Sequence, residues 1–423
     1  METVGIDRDL PSLERDRARA TRAIFASVAF GSTSLYAAFT AAPLIATEMT
    51  GSRATSGLPG ATAILGTAAG SALLSTAMAR WGRRFGLRLG YSVGLAGTVS
   101  ALLVTAASAE FIMLALAMLL VGIGHAANQL SRFAAADMRD AAGRAPVLGW
   151  VVWAGTVGAV LGPPLLRAGE PIAGAFNRPS LSGAMMFASL FYLAALMSVL
   201  AMRSDPSDIA VEDTSGAAAS APGSLLTTMW RLPHVRLALI VMVMGQAAMV
   251  LIMTMIPVHV RDHGHGLGVV GAIMTAHFVG MFALAPFVGK IVARWGAAPA
   301  IMFGLVLLIA GAGGAAFTPA SSSALVALSL FAVGLGWCFG FVSASVLLTR
   351  GLAYVERVRV QGSVDALAWL AAAIASLGSG FLLAGFGFTL LCLLAAAGVL
   401  VTVAFVAARH EAAAVPAEGA ISS

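Results

Sequence analysis

Charge is scarce in this sequence. Only 10% of its 423 residues are Asp, Glu, Lys or Arg, against about 25% in an ordinary soluble domain. A chain so poor in charge and 59% hydrophobic cannot cover its apolar residues with polar surface, so lipid is its solvent and a soluble enzyme is excluded. Cysteine is scarcer still: Cys338 and Cys392 each sit inside an apolar run. Two are too few for a disulfide framework or a CxxC metal site, and they read as small buried hydrophobes. The 19 acidic residues avoid the middle of every apolar run, those closest being Glu48, Glu110, Asp137, Asp140, Glu170, Asp262, Glu356 and Asp365 at the flanks. A mid-membrane carboxylate of the kind that drives proton-coupled export is therefore not expected. The cations behind the net charge of +6 are scattered between apolar runs, which excludes a nucleic-acid-binding face. No cleavage site follows the charged first twenty residues, so no signal peptide is expected.

Long apolar runs are what the sequence has in abundance. Each reaches the roughly 20 residues that a helix needs to cross the hydrocarbon core, and none alternates as a membrane barrel strand would. They predict twelve helices near 22–46, 56–79, 87–107, 111–134, 146–166, 181–202, 237–258, 267–290, 298–317, 322–348, 361–384 and 387–408. The fold class expected is thus all-α membrane protein. A cytoplasmic tail of residues 1–21 would precede an N-terminal six-helix half over 22–202, and a polar, Ser/Gly/Ala/Pro-rich linker over 203–236 would join it to a C-terminal half over 237–408 and a tail over 409–423. Of the 25 Arg and Lys, only Arg53, Arg167, Arg178 and Arg261 fall on the side opposite the termini, leaving 25 − 4 = 21 on the other. That bias predicts both termini in the cytoplasm of a bacterial inner membrane.

An internal repeat supports two six-helix halves. Ala79-Arg80-Trp81-Gly82 recurs as Ala293-Arg294-Trp295-Gly296, an offset of 293 − 79 = 214, and Val121-Gly122-Ile123-Gly124 recurs as Val333-Gly334-Leu335-Gly336, an offset of 333 − 121 = 212. Halves of equal topology are related by a pseudo-two-fold axis along the membrane normal and hold their substrate between them near the midplane. The segment Ser75 to Arg84 resembles the loop 2–3 signature GxLaDRxGRR of the major facilitator superfamily, and the resemblance spans the chain. It implies alternating access, and a gating loop of Arg80, Gly82, Arg83 and Arg84 with Arg294 and Gly296 in the second half. Ala79 and Ala293 stand where the signature has Asp, which leaves the family's charge-paired latch without its usual carboxylate. The same arginines also serve as plain topology anchors.

The ionisable groups that lie deep are His125 and His277. A histidine within a membrane helix is a functional candidate by default, although a neutral imidazole bonded to a neighbouring helix also accounts for it. The seventh helix holds Met242, Met244, Met249, Met253 and Met255. Residues four apart share a helical face, so Met242, Gln246, Met249 and Met253 form one stripe, and His277 and Met281 pair likewise in the eighth helix. Counted at about 1.5 Å per residue, Met249 and His277 lie level, with Met253 above and Met281 below. Packing alone explains such methionines; a thioether and imidazole ladder without carboxylates instead selects a soft ion such as Cu(I). His259, His263 and His265 at the outer mouth either collect the metal or merely make a polar hairpin.

The MxxxM and HxxxM pairing of Met249, Met253, His277 and Met281 resembles the CcoA-like copper importers. The resemblance implies a functional monomer that imports copper as cargo, with no resident cofactor and with those four residues as ligands. The entries to helix 11 at Gln361 to Asp365 and the exit of helix 4 at Gln129 to Asp137 are similar to that group as well. Against it, Gly149, Gly158 and Gly162-Pro163 match the helix 5 signature of drug and proton antiporters. The alternative is therefore a proton-coupled transporter of a small organic solute or drug, with His277 or His125 titrating. A non-transporting scaffold is a third reading, disfavoured by the repeat.

Overall fold

The computed structural model describes residues 10–51, 57–107, 110–162, 164–210, 229–265, 267–319 and 322–407. Among them every regular element is a helix. The first half runs α1 (Leu10–Thr50), α2 (Leu58–Trp81), α3 (Arg83–Ala107), α4 (Phe111–Asp137), α5 (Ala141–Leu161), the short α6 (Leu165–Ala175) and α7 (Ser182–Leu200). The second half runs α8 (Pro233–Asp262), α9 (Leu267–Phe278), a π-helical turn (Val279–Ala283), α10 (Ala285–Trp295), α11 (Ala297–Phe317), α12 (Ser323–Leu347) and α13 (Tyr354–Ala407). Within α13 the backbone breaks at Gly387, with φ 80° and ψ 170°, so its two spans are Tyr354–Leu383 and Gly385–Val406. Eleven helices among the described residues are long and apolar enough to cross a membrane, and α9 with α10, bent by 41°, is the twelfth span.

Several boundaries differ from the sequence expectation for local reasons. The first helix starts at Leu10 rather than 22, because its polar first turns continue the helical hydrogen bonding outside the apolar run. The fifth starts at Ala141, where Asp140 caps it by accepting from the Gly143 amide at 2.9 Å. The eighth span, expected to be continuous, is interrupted where Pro286 enters the first turn of α10. Residues 203–210 of the expected linker fold back onto the first half: Asp205 accepts from the Arg84 amide at 3.0 Å, and the Ile209 carbonyl accepts from the Arg17 side chain at 3.1 Å. Residues 211–228 of that linker, residues 1–9 of the expected N-terminal tail and all of the expected C-terminal tail at 409–423 lie outside the described residues.

Both cysteines are buried and free. Small residues let the helices approach to backbone contact, as expected where lipid supplies no hydrophobic drive between them. Gly66 meets the Leu119 backbone and Gly122 that of Ala63, joining α2 to α4; Gly304 and Gly336 do the same for α11 and α12. Across the two halves, Gly149 of α5 abuts the Ala285 carbonyl of α10 and Gly289 of α10 abuts that of Ala145. The chain ends of α2, α4, α10 and α12 and the starts of α3, α5, α11 and α13 share one face, which carries most of the arginines.

Candidate functional site

A cavity of about 360 Å³ lies between the two halves. Helices α1, α2, α4 and α5 line it from one half, and α8, the π-helical turn, α12 and α13 from the other. Its walls are aromatic: Tyr36, Phe39, Phe278, Phe282, Trp337, Phe341 and Trp369. Several of these are locked against one another. Trp337 stacks on Phe341 with centroids 4.5 Å apart, Phe282 meets Trp337 edge-on at 6.0 Å, and Tyr36 lies 5.8 Å from Phe278.

Polar groups gather on the inner wall. Gln246 accepts the Trp337 indole N–H at 2.7 Å, which fixes both side chains. Asn128 donates to Ser32 Oγ at 2.8 Å and accepts from the Tyr91 hydroxyl at 2.9 Å, close against Gly31. Gln129 and Arg132 complete the polar floor on the arginine-rich side, and His125 packs edge-on to Trp369 at 5.4 Å with its Nδ1 unpartnered. No carboxylate is among the described residues that line the cavity.

Directly beneath the floor, charges of the two halves are tied together. Arg132 donates to Asp365 Oδ1 at 2.6 Å and to Ser345 Oγ at 3.0 Å, and its guanidinium lies 4.2 Å from the Phe341 ring. Arg83 holds Asp137 Oδ2 through Nε and Nη2 at 3.0 and 2.8 Å and reaches Gln361 Oε1 at 2.6 Å. Arg357 pairs with Asp137 Oδ1 at 3.2 Å, and Arg144 donates to the Thr349 carbonyl at 3.3 Å. Each of these groups is all but inaccessible. Burying charge is tolerable only where partners replace water; Arg83 and Asp137 do so for each other within the first half, while Gln361, Asp365, Arg357 and the Thr349 carbonyl do so from the second, so the plug ties the halves together at the arginine-rich face.

This arrangement corrects the expectation that all acids flank the helices. Asp365 sits eleven residues into the span that begins at Tyr354, is 1% exposed, and has an Oδ2 with no partner. It lies one turn from Trp369 of the cavity wall. Asp137, at the end of α4, is the carboxylate that pairs with Arg83 and Arg357 in this plug. Of the expected gating loop, Gly82 and Gly296 adopt φ 88°, ψ 162° and φ 87°, ψ 169°, a region only glycine enters freely. Arg83 enters the plug, Arg84 caps the 200–205 turn through the Leu200 and Arg203 carbonyls, and Arg80 lies over the exposed Trp81 at 5.2 Å. Arg294 is exposed.

The four expected soft ligands divide. Met249, Met253 and Met281 line the cavity, as does Gln246, while Met242 is buried elsewhere. His277 does not line it: its Nδ1 bonds the Leu330 carbonyl of α12 at 2.9 Å, its Nε2 is unpartnered, and the ring is completely buried where Gly334 brings the helices together. The π-helical turn is the cause. Its i to i+5 hydrogen bonds widen the turn, so Met281 is rotated off the stripe that a regular helix would give it with His277. At the mouth, His259 stacks on Phe388 at 4.1 Å, and His263 places its Nδ1 2.8 Å from the His259 carbonyl with the rings 4.6 Å apart. No three His, Cys, Asp or Glu converge as a metal site among the described residues, His265 included.

Comparison with known proteins agrees with this architecture. The chain is 33% identical over 404 residues to the uncharacterized MFS-type transporter YdeG of Bacillus subtilis (strain 168), covering 93% of each. It is 31% identical over 336 residues to the riboflavin transporter RfnT of Brucella anthropi, covering 75% of this chain and 77% of that one. The fold superposes on the human organic anion transporter MFSD10 with a TM-score of 0.70 at 15% identity, covering 92% of this chain and 99% of that one. These relatives lend no support to the resemblance to copper importers. The sequence model of the Major Facilitator Superfamily matches residues 24–353, and with a twelve-span, two-half fold around one central cavity the chain belongs to that superfamily of transporters.

Proposed function

We propose that the protein is a proton-coupled secondary transporter of a small organic solute carrying a flat, fused-ring system, working by alternating access in a bacterial cytoplasmic membrane with both termini inside. The observation that carries this reading is the aromatic cavity between the halves. Its volume falls in the range of about 300–1,000 Å³ typical of organic ligand sites. Stacked aromatics with a few fixed amide groups suit a ring that hydrogen-bonds along one edge, and the relative named as a riboflavin transporter points to the same chemistry. A bare ion would leave most of such a space unfilled.

Coupling is assigned to Asp365 rather than to His277 or His125. Protonating Asp365 removes the charge that holds Arg132 across the two halves, loosening the plug. The freed Arg132 side chain, already part of the cavity floor, is then available to the bound cargo. Proton and cargo would thereby act on one cross-half contact, which is how a carrier links two gradients.

Uptake of radiolabelled riboflavin by cells lacking their own uptake system tests the reading. Trp337→Ala should cut uptake by about fivefold to a hundredfold, since base-type stacking contributes about 1–3 kcal/mol per ring. Asp365→Asn should abolish accumulation driven by a proton gradient while sparing exchange of labelled for unlabelled solute. If neither riboflavin nor any fused-ring analogue is bound or moved, the cargo class is wrong. The weaker reading, a soft metal held by Met249, Met253 and Met281, is separated by replacing all three with Leu: solute uptake should persist, whereas loss of cellular copper in that variant alone would favour the metal.

A further inference from the structure

We infer that a groove between α1 and α5 on the arginine-rich face is a binding site for an anionic phospholipid, with the headgroup phosphate on Arg22 and Arg139 and an acyl chain along Val147 and Trp150. Both arginines line this groove, which is otherwise walled almost wholly by apolar groups. Neither makes an ion pair among the described residues. Asp140, the neighbouring acid, is committed to capping α5 through the Gly143 amide, and Arg139 packs its own side chain back against Gly143. Two positive charges therefore border the groove with no carboxylate directed at them.

The apolar part has a direction. Trp150 is half exposed at 48%, and it meets Trp153 at 5.9 Å, which in turn stacks on Phe25 at 5.9 Å. Phe25 lies three residues beyond Arg22 along α1, and Val147 and Trp150 lie 147 − 139 = 8 and 150 − 139 = 11 residues beyond Arg139, so the apolar wall leads from both arginines toward the membrane interior. Cation pair, interfacial tryptophan and continuing apolar wall are the order in which a phospholipid presents phosphate, glycerol and chain. A soluble anion would use the cations and leave the aromatic wall in contact with nothing of its own chemistry. A neutral zwitterionic lipid would meet two cations with a headgroup whose own ammonium opposes them.

The test uses the full chain purified in detergent and exposed to mixed vesicles of dioleoyl phosphatidylglycerol and dioleoyl phosphatidylcholine, with retained lipid counted by native mass spectrometry. The parent protein should retain phosphatidylglycerol preferentially. The double variant R22Q/R139Q should weaken that retention about tenfold or more, because each cation near an anionic surface contributes roughly 1 kcal/mol and tenfold is about 1.4 kcal/mol, while R178Q on the opposite face leaves it unchanged. Equal retention in parent and double variant, or equal retention of the two lipids, overturns the inference. Should the double variant fail to fold, quenching of tryptophan emission by brominated acyl chains decides: brominated phosphatidylglycerol should quench the parent more than brominated phosphatidylcholine does, and W150F should remove that excess. No excess in the parent is equally fatal.

Discussion

The turn between α2 and α3 and its repeat between α10 and α11 have the same backbone and different chemistry. In both, a Trp-Gly pair ends one helix, and the glycine takes φ near 88° before the next helix begins at once. The residue after the glycine is Arg83 in the first half and Ala297 in the second, at the repeat's own offset of 297 − 83 = 214. Arg83 binds Asp137 of its own half and Gln361 across the halves, whereas Ala297 is simply buried. Duplication thus preserved the turn, which backbone geometry requires in both copies, but one copy alone supplies the charged latch. The shared motif therefore reports topology, and the latch must be located residue by residue.

The comparison can be broken most forcefully at the latch. Arg83→Ala leaves Asp137 buried with Arg357 as its remaining ionic partner, and removing one member of a buried pair costs about 3–5 kcal/mol; the thermal midpoint of the purified protein should fall sharply, while Ala297→Gly, at the equivalent position, should shift it far less. The turns themselves sharpen it next. Gly82→Ala and Gly296→Ala each force a side chain into a glycine-only conformation at about 1–3 kcal/mol, but an added Cβ at 82 also meets Asp205 Oδ2 at 2.6 Å, whereas at 296 it meets nothing within 4 Å. Gly82→Ala should therefore be the more damaging of the two by denaturation, and equal losses would deny Asp205 any part in the turn. The smallest effect belongs to the outward arginines: Arg80→Gln and Arg294→Gln should each change stability by less than about 0.5 kcal/mol.

Much of this architecture is legible in the sequence. Span number, the two halves and the central location of the cavity follow from hydropathy and from the repeat, because a membrane demands long self-satisfied helices. What escaped was tertiary. Asp365 reads as a flanking acid until Arg132 from the other half is seen to neutralise it, and no periodicity within one helix announces that partner. His277 and Met281 read as one stripe at the 100° step of a regular helix, and the π-helical turn that separates them depends on backbone bonding that side-chain patterns do not encode. Pro286 was the one available signal, five residues past Met281. The aromatic wall was also missed: Trp337, Phe341 and Trp369 are dispersed over two spans, and each alone is an ordinary apolar residue.

The contact of α5 with α10 has a mechanical implication. Where Gly149 meets the Ala285 carbonyl and Gly289 that of Ala145, main chain lies directly on main chain, with no flexible side chain between to stretch or re-pack. Such a seam has little intermediate travel: a small parting forfeits nearly all its dispersion contact at once. A carrier hinged on it behaves as a toggle, closed or sprung apart, and spends little time ajar at both ends, the condition in which its gradients would leak away.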